Sequence, residues 1–544
     1  MERSIAVTGL GSVCALGHDC TSLADAVEAG RCGIGPIQRF DTDGFRVRTG
    51  AEVRSSGELT VDPRGTPEDL CIAFARPAAR EALAQAGAGS VAPERCAIVF
   101  GTNLADLTRP VHELASELAD GLEAQGPRLT ICTACSSSTG ALGIASDLLW
   151  SGAADLVLAG GADVLTPRVF AGFHALGVLN PDRCAPFSQP FGTTLGEGAG
   201  FLVLERAEHA HARGASILAS LSGYGLSADG YHETSPDPGG RGVSRAIRAA
   251  LSDAGLEPED ISYVNAHGSG TEANDPSEWN GIRHALAASA NLWVSSSKGA
   301  IGHAQGAAGA LETIVTILMM RKGLVPPTLN FVGPRPFAPD DPVGGRVPRA
   351  RIYEHAVCVN SGFGGANAAV VVSRTSAATV RPRARARVMV GGLGVVGPGG
   401  FGLEAWQEGG RRGWRGRMAD FSLAEVDPRL DPHGLDRSAR FLTAASAFAL
   451  RDAGIRLTRR DRESAGLVLG SIRPSPESVK SYGESVEEHG LAGASAPAFA
   501  RIVLNAPAGF CAKLLSIQGP LTAVTVGSGS GLAAILVAAE QLRR

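Results

Sequence analysis

Residues 126–149 read GPRLTICTACSSSTGALGIASDLL, and residues 519–542 read GPLTAVTVGSGSGLAAILVAAEQL. Each is a Gly-Pro turn, an apolar strand, a break of small residues and a helix, and the same succession met twice marks a duplicated unit. Two further stretches return in the same order. IAVTGLGSVCALG (5–17) comes back as VMVGGLGVVGPGG (388–400). LCIAFARPAAREALAQAGAG (70–89), followed by RCAIVFGT (95–102), comes back as RFLTAASAFALRDAGI (440–455) followed by SAGLVLGS (464–471). Laid on this repeat, Gly527 falls opposite Cys135, so the second copy reads as a half-length unit without a nucleophile.

Outward from the repeat, residues 1–373 alternate β-rich runs with helical stretches, which implies α/β layers. The strands are expected at 5–10, 97–101, 129–133, 155–160, 200–205, 262–266, 292–296, 356–360 and 368–372. Residues 374–387 hold five arginines in RTSAATVRPRARAR with no apolar period, and read as a linker. Residues 388–544 are the half unit.

The chain has 544 residues, 44 % hydrophobic and 19 % charged, which suits several well-buried units and leaves too little charge for disorder. A formal charge of −4 offers no basic field for nucleic acid or an anionic membrane. No apolar run is long enough to span a bilayer. Ten scattered cysteines and an opening without a secretory pattern lead to the expectation of a cytoplasmic protein. No metal cluster or phosphate loop is visible, so no cofactor is expected.

Cys135 sits where a strand turns into a helix whose apolar pairs step by three to four residues. Free N–H groups and the helix dipole there favour thiolate over thiol, and a nucleophile ionised near neutral pH is expected. A lone cysteine more often fills a core, but three hydroxyls and an abrupt turn follow this one. Downstream, VNAHGSGTEAND (264–275) delivers His267 into a glycine-rich loop, and SSSKGAIGHAQGAAGALE (295–312) sets Lys298, His303 and Glu312 around another. A lone histidine is usually structural; two in such loops, with one of only four lysines, are a stronger signal.

Together, TACSSS, NAHGSGT, KGAIGHAQGAAG and NSGFGGAN, in this order, resemble the β-ketoacyl synthases of the thiolase-like fold over residues 1 to about 373. Two histidines with one cysteine set the pattern apart from the degradative thiolases. The resemblance implies a layered αβαβα unit in which Cys135 accepts an acyl group from the phosphopantetheine thioester of an acyl carrier protein. His267 and His303 would stabilise the enolate. Lys298 and Glu312 would form an ion pair that orients His303. The backbone N–H groups of Cys135 and Phe363 would make the oxyanion hole, and Ser269, Thr271, Asn360, Gly362, Phe363 and Gly364 would meet substrate.

The half unit is similar to a truncated chain-length factor, the nucleophile-less relative that pairs with ketosynthases. It is expected to lay residues 521–526 beside 129–133 as an internal pseudo-dimer, with 499–515 walling the acyl pocket. Several positions depart from the family pattern. Ser269 replaces a threonine, NSGFGGAN is one residue short with Ala366 for threonine, and APFSQPFGTTLGEGAG (185–200) lacks the usual Arg-Asp pair while keeping Glu197. In the family the positions of the NSGFGGAN loop gate the extender's entry and help its decarboxylation. Two enzymatic activities are therefore expected alternatives: carbon–carbon bond formation by decarboxylative Claisen elongation in polyketide or fatty-acid assembly, or an intramolecular ring closure of the salinosporamide (γ-lactam-β-lactone) type. A non-catalytic scaffold is a third reading, and the intact Cys135, His267 and His303 argue against it.

Overall fold

Twelve strands make one mixed sheet. They are β1 (Ile5–Cys14), β2 (Cys96–Gly101), β3 (Arg128–Ile131), β4 (Leu156–Asp163), β5 (Gly198–Arg206), β6 (Ala219–Ala228), β7 (Ile261–Asn265), β8 (Trp293–Ser295), β9 (His355–Gly362), β10 (Ala366–Ser373), β11 (Leu467–Gly470) and β12 (Leu521–Thr525). The computed structural model describes residues 4–57, 59–62, 64–103, 109–375, 387–412, 416, 418–430 and 434–544. Most of the linker, residues 376–386, lies outside the described residues.

Across the sheet the order is β8-β7-β9-β10-β6-β1-β5-β4-β2-β3-β12-β11. The first ten strands form two five-stranded halves. Each half follows the order first, fifth, fourth, second, third, and they join where β1 meets β6 antiparallel. The helices needed below are α1 (Pro67–Ala86), α2 (Ser137–Ser151), α3 (Arg241–Ala254), α4 (Asn274–Ala285), α5 (Ala308–Lys322), α6 (Arg437–Asp452), α7 (Ala506–Leu515) and α8 (Ser530–Leu542). α2 and α5 are buried along almost their whole length and pack together with strands of both halves in one core. α1 covers the outer face of the first half, α3 and α4 that of the second. The expected succession of helix and sheet layers is present.

All nine expected strands appear. β6 (ASLSGYGLSA) was not anticipated, because glycine and serine mask it. Those small residues answer a packing demand: a Cβ on Gly225 would come within 2.1 Å of the Ala246 carbonyl of α3, and one on Gly223 within 2.5 Å of that of Ala250.

The half unit joins the sheet through β12, which pairs antiparallel with β3, Val524 opposite Ile131 and Thr525 opposite Thr130. The Cys132 N–H donates to the Ala523 carbonyl at 2.9 Å. The two turns after these strands are built alike. Thr133 N–H donates to Ser137 Oγ (2.9 Å), which donates to the Ala134 carbonyl (2.6 Å). Val526 N–H donates to Ser530 Oγ (3.1 Å), which donates to the Gly527 carbonyl (2.6 Å). The left-handed residues are Ala134 (φ 54°) and Gly527 (φ 78°). Ser528, therefore, stands opposite Cys135, which corrects the expectation that Gly527 would; the two strands match without a gap. By the same match Ile131 and Val524 are counterparts, so a local two-fold passes between them.

Residues 388–395, the counterpart of β1 in the repeat, form no strand. They do pack as β1 does. Leu10 N–H donates to Gln85 and Leu393 N–H to Asp452, each at 2.8 Å. Gly9 and Gly11 press on the backbone of α1 as Gly392 and Gly394 press on that of α6. β1 is held between β5 and β6; the half unit carries no counterpart of either among the described residues, so this segment has no ladder to join. No helix among the described residues is long and apolar enough to cross a membrane.

Candidate active site

Cys135 lies in the short turn Ala134–Ser136 between β3 and α2. His267 follows β7, and His303 follows the short helix Lys298–Ile301. The three side chains line one cavity of about 390 Å³ together with Ser269, Thr271, Gly362 and Phe363. The imidazoles stand nearly perpendicular, 5.1 Å between centroids.

The ring protons follow from the hydrogen bonds. Gln305 N–H donates to His303 Nδ1 at 3.2 Å, and Asn360 Nδ2 lies 3.3 Å from His267 Nδ1. Each Nδ1 is thereby an acceptor, which assigns the proton to Nε2 in both rings. Burial holds both imidazoles well below the usual histidine range, and the Lys298 charge adds to the effect. The site therefore presents two neutral Nε2–H donors.

The Lys298 ammonium and the Glu312 carboxylate form a fully buried ion pair. Its hydrogen-bonded connection runs to the other histidine than expected: Asn360 Nδ2 donates to Glu312 (2.8 Å) and also faces His267 Nδ1, while Thr139 Oγ1 donates to Asn360 Oδ1 (2.6 Å). His303 is instead fixed by backbone, its N–H donating to Thr194 (2.7 Å) and its carbonyl accepting from Gly196 (2.9 Å).

The ionised resting thiolate is corrected too. Burial pushes the Cys135 thiol up to about 12, against the partial relief that Lys298 gives, so removal from water outweighs the helix terminus. Two of the six expected substrate contacts are displaced. Asn360 is buried behind His267, away from the cavity lining, and Gly364 packs against Gly509 of α7.

The sequence reading missed Glu278 on α4, whose carboxylate accepts from the His267 and Gly268 N–H groups at 2.6 and 2.7 Å and is raised by burial to about 8. The acidic positions shortly after the histidine loop were its only trace. Glu197, fully buried, pairs with Arg39 and accepts from Val53 N–H (2.7 Å) and Leu165 N–H (2.9 Å).

The half unit reaches this site. Phe363 stacks on Phe173, and Phe499 meets Phe173 edge-on at 5.4 Å. Asn505 Nδ2 donates to the Phe363 carbonyl at 2.8 Å. A second cavity of about 320 Å³ lies between the units, with Thr102, Arg109, Val111 and Cys132 on one side. Its half-unit wall comes mostly from residues 472–480, with Leu504. The cavity of Cys135 has none of residues 499–515, expected to wall it, in its lining.

The family model described as "Beta-ketoacyl synthase, N-terminal domain" matches residues 2–210 and again 419–544, and "Beta-ketoacyl synthase, C-terminal domain" matches 218–332. The chain belongs to the β-ketoacyl synthase family. Nodulation protein E of Rhizobium meliloti is 38 % identical to this ketosynthase over 400 residues, 68 % of this chain and 98 % of that protein. The 3-oxoacyl-[acyl-carrier-protein] synthase 2 of Synechocystis is 35 % identical over 404 residues, 67 % of this chain and 97 % of that one. The solved ishigamide ketosynthase/chain length factor is similar at a TM-score of 0.64 and 33 % identity, over 69 % of this chain and all of that one. The PfaC keto synthase–chain length factor shares the fold over 100 % of this chain and 72 % of its own length, at a TM-score of 0.78 and 19 % identity. The chain is thus an acyl-transferring enzyme of the ketosynthase type, and the repeated N-terminal match is the duplication seen in the sheet.

Proposed function

We propose that residues 1–373 form a ketosynthase unit that loads an acyl group from an acyl-carrier-protein phosphopantetheine thioester onto Cys135 and extends it by decarboxylative condensation. The observation that carries the reading is one cavity holding the Cys135 thiol with two imidazoles that both offer Nε2–H.

In the first step the Cys135 sulfur attacks the thioester carbonyl, the S–acyl bond forms, and the carrier thiol leaves with the proton. The turn into α2 and the Lys298 charge favour the developing thiolate, and the backbone N–H groups of Cys135 and Phe363 serve the tetrahedral oxyanion. In the second step a malonyl-type extender loses carbon dioxide, and the resulting enolate oxygen is held by the Nε2–H donors of His267 and His303. The enolate carbon attacks the acyl carbonyl, the new C–C bond forms as the C–S bond breaks, and Cys135 leaves as a thiolate that takes a proton from water.

Residues 388–544 act in this proposal as a chain-length-factor-like half, an intramolecular substitute for a second subunit. The antiparallel β3–β12 pairing, the Asn505–Phe363 hydrogen bond and the shared cavity support it.

Malonyl-carrier and acyl-carrier together are expected to yield carbon dioxide and a chain-extended thioester. Carbon dioxide release absent while a β-ketoacyl amide thioester gives free carrier thiol and a cyclised product lighter by that thiol would replace elongation by ring closure. Sedimentation as a tight symmetric dimer through β3 would overturn the pseudo-dimer.

A further inference from the structure

Two residues of the half unit stand directly behind the wall of the Cys135 cavity. Phe499 meets Phe173 edge-on, and its ring takes the space that a Cβ on Gly172 would need. Asn505, fully buried, donates from Nδ2 to the Phe363 carbonyl at 2.8 Å. Phe173 and Phe363 line the cavity, whereas Phe499 and Asn505 do not.

Asn505 gives up ordinary partners for this bond. It stands at the N-terminal cap of α7, where an asparagine side chain commonly accepts from its own helix, yet it makes no capping hydrogen bond. Its Oδ1 is buried without a partner. The repeat singles the position out. Counted back from the Gly-Pro turns at 126–127 and 519–520, Asn505 matches His112 and Gly509 matches Ser116. The half unit has no counterpart of the loop 362–365 among the described residues, and facing it the first copy carries histidine and serine in place of the amide and the glycine.

The peptide between Phe363 and Gly364 is held on both sides. Its N–H donates to the Glu233 carbonyl at 2.8 Å within the first unit, and its carbonyl is held by the half unit. Gly364 (φ 79°) and Gly365 (φ 70°) are left-handed in succession, so the chain can pivot there once one anchor is gone. On the other side of Phe363, Gly362 is pressed against the nucleophile turn: a Cβ there would lie 2.6 Å from the Thr133 carbonyl oxygen and 3.0 Å from the Cys135 nitrogen. A tilt of the chain at 363–365 therefore shifts the Phe363 N–H relative to that of Cys135.

We propose that Asn505 is a positioning residue for acyl transfer at Cys135: through the Phe363 carbonyl it fixes the Phe363 N–H where the tetrahedral oxyanion forms. The half unit thereby completes the oxyanion hole of the other unit without touching substrate. The inference rests on the acyl loading proposed above.

The test compares two reactions of one sulfur in the full chain. Acylation by an acyl N-acetylcysteamine thioester passes through an oxyanion, whereas alkylation by iodoacetamide displaces iodide at a saturated carbon and forms none. Both need the thiolate, so the ratio of their rates, read by mass spectrometry of the Cys135 peptide, is independent of its ionisation. Asn505→Leu, similar in shape and without a donor, is expected to lower the ratio of acylation to alkylation at least tenfold. Asn505→Asp should keep the ratio at acidic pH, where its carboxyl O–H donates to the Phe363 carbonyl, and lose it as the pH rises and the carboxylate repels that oxygen. The wild-type ratio should stay level. An unchanged ratio in Asn505→Leu, or a level one in Asn505→Asp, overturns the proposal. So does a fall of both rates together, the mark of a purely structural role. If Asn505→Leu does not fold, the pH profile of Asn505→Asp decides alone. A wild-type chain that is alkylated at Cys135 but never acylated overturns the loading reading, and this inference with it.

Discussion

The two strand-to-helix turns of this molecule share a backbone and differ in everything around it. At 133–137 and 526–530 the same serine lock closes the same turn around a left-handed residue, yet one holds a buried thiol beside two imidazoles and the other an exposed hydroxyl. The turn is a local property of strand, small residues and serine. Catalytic surroundings come from the distant β7, α5 and β9 regions, for which the half unit has no counterpart among its described residues. A nucleophile position without the second five strands is an empty frame.

The comparison breaks most cleanly at the nucleophile. Cys135→Ala is expected to lower acyl transfer on the order of 10⁴-fold, while Ser528→Ala leaves it unchanged; steady-state assays of both variants decide, and lost activity in the latter would erase the distinction.

Burial sharpens it next. Iodoacetamide alkylation of Cys135, followed by peptide mass spectrometry, should climb about tenfold per pH unit from pH 7 to 10, because the thiol titrates near 12. A cysteine placed by Ser528→Cys, in the open, should level off above its ordinary value of about 8.5.

Support for the first turn is tested by Lys298→Met, which leaves the buried Glu312 without its cation. Chemical denaturation should register a loss of about 3–5 kcal/mol, and no comparable buried pair stands behind Ser528 among the described residues.

Contact between the units comes next in size. Gly509→Val puts side-chain atoms where even a Cβ would lie 2.5 Å from the Gly364 Cα, so about 1–3 kcal/mol of stability should go, with activity falling alongside it. Smallest are the locks themselves: Ser137→Ala and Ser530→Ala should each cost about 1 kcal/mol, and only the former should change turnover.

Much of this was legible in the sequence because the repeat and the glycine-rich loops are contiguous signals. Cys135, His267 and His303 announce themselves by the turns they occupy, and the layers follow from alternating strands and helices. What stayed hidden depends on contacts across the chain. β6 is written in small residues because α3 presses on it. The protonation of Cys135 follows from a burial that no spacing reveals. Glu278 reaches the His267 backbone from a helix of its own, and Asn360 turns from a substrate contact into a link between Glu312 and His267 only once β9 lies beside β7.

The local two-fold between Ile131 and Val524 has a genetic consequence. In a homodimer a codon change on such an axis is felt twice, once on each side of the seam. Here the two sides are separate codons of one reading frame, so a substitution at Ile131 can be answered by an independent one at Val524, and each face of the axis drifts at its own pace.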